Sequence, residues 1–114
     1  MESILTSIKK LLGITEEYTH FDTDIIMHIN SVFMVLRQLG VGPASGFRII
    51  DKSTTWNDFL PDTILMESVK SYVYLKVSLL FDTNQPSSVI EARSRMIAEL
   101  EWRLNVAAES DQTI

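Results

Sequence analysis

The sequence contains no cysteine. That removes disulfides, thiolate metal sites and cysteine nucleophiles together, and it fits a reducing cytoplasm. Basic residues are in deficit: ten Lys and Arg against fifteen Asp and Glu leave a net charge of −5. They are also scattered, from Lys9 and Lys10 through Arg37, Arg48, Lys52, Lys70 and Lys76 to Arg93, Arg95 and Arg103. A protein that grips nucleic acid carries a basic stripe, and none is visible here. No apolar run approaches the ~18 residues needed to span a bilayer. The opening MESILTSIKK has no basic lead, long apolar stretch or small-residue cleavage site, so it does not read as a secretory leader. There is no internal repeat and no low-complexity tract.

Glycine and proline are sparse, at four and three residues of 114, so their positions punctuate the chain. Three of the glycines fall in one run, GVGPASG at 40–46. A phosphate loop needs a strand before such a run and a helix after it, with free backbone amides between. Here a helix precedes it, a candidate strand follows, no GK[ST] is present, and Pro43 removes an amide. Gly40 reads instead as the residue that ends a helix, and Pro43 prevents its resumption.

The rest of the composition is ordinary for a globular chain, 46% apolar and 22% charged. The length suggests one domain, 1–114. Apolar residues recur at helical spacing in four segments. Residues 3–12 carry Ile4, Ile8 and Leu11, with Ser3 as N-cap, Lys9 and Lys10 at the negative end of the dipole, and Gly13 closing. Residues 20–39, capped by Thr19 or Asp22, carry Ile25, Ile29, Val32, Leu36 and Leu39. Ile26, Met27, Phe33, Met34 and Val35 spread apolar surface round the remainder, which predicts burial on more than one side, with a neighbouring subunit helping where one small domain does not cover it. Residues 62–82, opened by Pro61, carry Met66, Val69, Val73, Val77 and Leu80, with Glu67, Ser71, Tyr74 and Ser78 on the wetter side. Residues 88–108 open on a capping box, Ser88 with Glu91, and bury Ile90, Ile97, Leu100, Leu104 and Ala107. Their outer face is an i, i+4 ladder of Glu91, Arg95, Glu99 and Arg103, which is a solvated face and not a site. Residues 109–114 lack a period and are expected to fray.

The fold expected is mainly α: a small bundle of one short and three long helices. A long loop, 40–61, joins the second helix to the third. Within it, Phe47–Ile50 and Thr54–Trp56 are candidate strands of a short β-hairpin, and Trp56–Phe59 a candidate helical turn. Trp56 and Phe59 either pin the loop to the body or anchor a partner. Pinning is preferred, because a long ordered loop needs apolar contacts of its own. Trp102 lies off its helix's core stripe, so it either covers a neighbouring loop or anchors a partner. Candidate interface residues are therefore Phe47, Ile49, Trp56, Phe59 and Trp102. His20, Asp22, Asp24 and His28 form the one His and carboxylate cluster. Its spacing matches no metal motif, and capping with an Asp24–His28 surface pair explains it better. No nucleophile elbow or triad order is present, so no catalytic, cofactor or metal residues are assigned.

The order of the segments is itself informative. SIKKLLGI is followed by DTDIIMHINSVFMVLRQLGVGP, GFRIIDKSTTWNDF, ESVKSYVYLKVSLLFD and EARSRMIAELEWRLN. This succession, over roughly residues 3–108, resembles the head–tail connector (adaptor) family of long-tailed double-stranded DNA bacteriophages. The resemblance implies a non-enzymatic virion protein at the neck between capsid and tail, assembled in the host cytoplasm. Such proteins form a homo-oligomeric ring, generally of twelve subunits, docked under the portal protein. The ring extends the DNA channel and offers a platform to head-completion (stopper) or tail proteins. Genomic DNA passes through without sequence-specific binding, and no membrane is involved. The alternative is a small helical adaptor or regulator that binds one protein as a monomer or dimer.

Overall fold

The computed structural model describes residues 2–61 and 64–112. Five helices follow in order: α1 (Ile4–Leu11), α2 (Asp22–Gln38), the single turn α3 (Trp56–Phe59), α4 (Ile64–Phe81) and α5 (Ser87–Gln112). Among the described residues there is no sheet, only one isolated antiparallel bridge between Ser3 and Thr55.

α1 begins as its sequence dictates. Ser3 Oγ accepts from the Thr6 amide at 3.2 Å, and Ile4, Leu5 and Ile8 are buried. Lys9 does more than match the helix dipole. Its side chain is 2% exposed, its Nζ lies 2.8 Å from Asp22 Oδ1, and it donates to the Glu16 carbonyl at 3.0 Å. A docked eight-residue helix needs such a clasp, because it is marginal alone.

That clasp explains a departure at the start of α2. Neither Thr19 nor Asp22 caps it; Phe21 holds the N-cap position without a side-chain bond. The Asp22 carboxylate is committed to Lys9 instead. At the other end Gly40 stops the helix as expected. With φ +87° it lets its own amide reach the Arg37 carbonyl (3.0 Å) and the Val41 amide reach Leu36 (2.9 Å). That paired arrangement needs a left-handed residue.

α4 packs against both α2 and α5. Its predicted stripe of Met66, Val69, Val73 and Val77 is buried, but Leu80 is 46% exposed. Ser78, expected on the wetter side, is buried, and Tyr74 is half-buried. The cause is α5: Arg93 Nη1 donates to Ser78 Oγ at 2.7 Å, with its guanidinium over the Tyr74 ring. The start of α4 expected at residue 62 lies outside the described residues.

α5 differs from expectation at both ends. The Ser88–Glu91 capping box does not form. The helix starts one residue earlier, the Pro86 carbonyl accepts from the Val89 and Ile90 amides, and Glu91 pairs with Arg95 at 2.6 Å. Ile90 is accordingly more than a third exposed. The helix also continues to Gln112 and does not fray from residue 109. Residues 106–112 contain neither glycine nor proline to stop it, and buried Ala108 anchors it. The last two residues, 113–114, lie outside the described residues.

Two predictions follow from the joins. Asp22→Ala leaves the Lys9 ammonium buried without its partner and is expected to cost about 2–3 kcal/mol in urea unfolding. Lys9→Met removes the buried charge outright and is expected to cost less; the reverse order would contradict the clasp. Tyr72, fully buried on α4, donates its hydroxyl to Glu101 Oε2 at 2.7 Å. Burial first, then that bond and the Glu101 charge, hold its hydroxyl well above the usual tyrosine range. A group raised on folding contributes in full below its unfolded value and loses that contribution above it. The stability difference between wild type and Tyr72→Phe is therefore expected to be flat below about pH 9 and to shrink above about pH 10. A difference unchanged to pH 11 would count against it.

Candidate assembly interface

The long loop is built onto α2 by one side chain. Asn30 donates from Nδ2 to the Ile49 carbonyl at 2.9 Å, and its Oδ1 accepts from the Ile49 amide at 2.8 Å. This side-chain amide satisfies the backbone as a neighbouring strand would. Phe47–Ile50 therefore needs no hairpin partner, and the anticipated hairpin is not formed. Thr54–Trp56 pairs with the chain start instead: Ile4 N–H donates to the Thr54 carbonyl (3.0 Å) and Trp56 N–H to that of Glu2 (3.2 Å).

α3 forms where expected, closed by a capping box between Thr55 and Asp58. Its Trp56 Nε1–H donates to Ser7 Oγ at 2.9 Å, under α1. Phe33 of α2 gathers the aromatic side chains, with ring centroids 4.6 Å from Phe59 and 5.0 Å from Phe47. Gly42 lets the backbone lie against Phe59; a side chain there would run into the ring.

The five candidate interface residues therefore separate. Ile49, Trp56 and Phe59 are enclosed by their own subunit, Phe47 is half-buried, and Trp102 is 67% exposed. Trp56 and Phe59 pin the loop. On α5, Ala98 and Val106 lie one turn either side of Trp102, and all three are exposed. The back of α2 is open too: Met27 and Met34 are each nearly two-thirds exposed, so the subunit does not itself bury this helix on all the sides its sequence makes apolar.

Beside Met34 lies an open pocket of about 500 Å³. Phe33 and Phe47 supply its aromatic lining, Arg37 and Arg48 its charge, and no carboxylate lines it. Arg37 Nε donates to the Ala44 carbonyl at 3.0 Å, which ties the loop's first half to the pocket wall. Sequence reasoning missed this pocket. It registered Met34 as surplus apolar surface but had no means of bringing the loop alongside.

A second groove, about 690 Å³, runs between the end of α1, the start of α2 and the α4–α5 junction. Asp24 and His28 both line it, and no ion pair joins them among the described residues. His20 stacks edge-on against Phe21 at 4.7 Å. Among the described residues no three metal-ligating side chains group together, and no helix is long and apolar enough to cross a membrane.

A phage connector protein family model matches residues 4–111, from the first residue of α1 to within one residue of the end of α5. The chain belongs to that family. Connectors are structural proteins of the virion, and the family is not an enzymatic one. Comparison with curated proteins and with solved structures finds no match. In this connector Met27 and Met34 on α2 and Trp102 on α5 are exposed, while Trp56 and Phe59 of the loop are buried.

Asn30→Ala is expected to cost about 1–3 kcal/mol, because it leaves both Ile49 backbone groups without their partner. Hydrogen exchange at the Ile49 amide should accelerate more than exchange in α4. Uniform acceleration across the chain would deny Asn30 this local role.

Proposed function

We propose that this connector forms a closed ring, of twelve subunits in the virion, that docks on the portal at the capsid vertex. The ring extends the DNA channel and presents a platform to head-completion or tail proteins. The observation that supports this reading is the large apolar side chains left exposed on the backs of two helices. Met27, Met34 and Trp102 are each more than 60% exposed, although the subunit's own core is closed. Exposed aromatic and methionine side chains of this kind are enriched where proteins meet. The charge agrees: a chain of net charge −5 has no overall attraction for phosphate, which suits a conduit through which DNA slides.

Light scattering of the purified protein, alone and with its portal, followed by negative-stain electron microscopy, tests the proposal. A ring, or a monomer that becomes a ring on the portal, is the expected result. A monomer or dimer that ignores the portal would favour the small adaptor.

A further inference from the structure

We propose that the subunit contact is head-to-tail, with Trp102 of one copy seated in the pocket between α2 and the loop of the next. The proposal rests on the ring reading and names its interface. The ridge and the pocket match in shape and chemistry. Trp102 is a large planar side chain left two-thirds exposed by its own subunit. The pocket is lined by Phe33, Phe47 and Met34, open to solvent, and roomy at about 500 Å³. An indole there would meet aromatic edges and a thioether, with Arg37 or Arg48 positioned to lie over a ring face.

Charge selects a second copy of this chain as the occupant. Copies of net charge −5 repel in general, so self-contact needs a local basic spot. Among the described residues Arg37 and Arg48 take part in no ion pair. On the exposed face of α5 Glu91 pairs with Arg95 and Glu99 with Arg103, which leaves Glu109, seven residues on from Trp102 and so on its face, in no ion pair among the described residues. A closed ring of more than two copies needs a contact between unlike surfaces, and Trp102 and the pocket are such a pair. Joining the Trp102 ridge, with Glu109 beside it, to the pocket of Arg37 and Arg48 uses both surfaces once per copy. A contact between unlike surfaces repeats from subunit to subunit and closes as a ring when the rotation allows.

The absence of cysteine makes the test clean. Ala98→Cys marks the ridge and Ser45→Cys marks the pocket rim; both positions are exposed. The two single variants are mixed and oxidised, on the portal if the wild-type ring forms only there. A disulfide-linked heterodimer in excess over either homodimer is expected, and a chain carrying both changes should give a ladder of multimers. Adding Trp102→Ala should weaken association on the order of thirtyfold, as for a buried aromatic anchor, with unchanged thermal unfolding of the subunit. Rings that form without preferential cross-linking, and that tolerate Trp102→Ala, would overturn this contact and leave the ring reading standing. A protein that stays monomeric alone and on the portal, with no cross-link, would overturn both.

Discussion

The enclosure of α4 is the constraint on which the rest of the structure depends. Its buried positions include neighbours in sequence, Tyr72 with Val73 and Val77 with Ser78, so more than one face must be covered. α5 takes the side bearing Tyr72 and Ser78, through Glu101 and Arg93. α2 packs on α4 as well, and Val69, Val73 and Val77 are buried along one ridge of it. A single helix wrapped in this way uses up one face of each neighbour. The backs of α2 and α5 then have no partner within the subunit, and that is where Met27, Met34 and Trp102 lie.

The loop between α2 and α4 follows a different logic. Backbone polar groups held against a core need partners, and a loop has no ladder to supply them. Here Asn30 stands in for a strand, the chain start pairs with Thr54–Trp56, and four aromatic rings fill the space beneath. Trp56 reaches Ser7 under α1, so the loop also fastens the first helix. Its aromatic residues are spent on internal order. Phe47 among them also lines the open pocket beside Met34.

Most of the helical architecture was legible from local pattern. The buried residues of α1, α2 and α4 recur at helical spacing, Gly40 terminates α2, and the Thr55–Asp58 turn sits inside a loop of otherwise irregular sequence. Three departures share one cause, a competing partner brought from elsewhere in the chain. Asp22 was read as a cap and Ser88 as the head of a capping box, because each has the right local chemistry. Ser78 shares a helix face with Glu67, Ser71 and Tyr74, which by pattern alone points it toward water. In the first case Lys9 claims the carboxylate. In the second the Pro86 carbonyl takes the amides of the first turn and Arg95 takes Glu91. In the third Arg93 arrives from another helix.

What the sequence determined by itself was the set of helices, the absence of disulfide or thiolate chemistry, and membership of the connector family through the order of its segments. These depend on residues within a turn or two of one another, or on the whole succession of them. Tertiary structure alone decided which apolar side chains stay outside. Trp56 meets Ser7 across 49 residues, Asn30 meets Ile49 across 19, and Asn105 reaches the Leu39 carbonyl across 66. Each of these contacts closes one surface and thereby leaves another open. Helical periodicity measures how apolar a face is, but only the packed chain shows whether something already covers it.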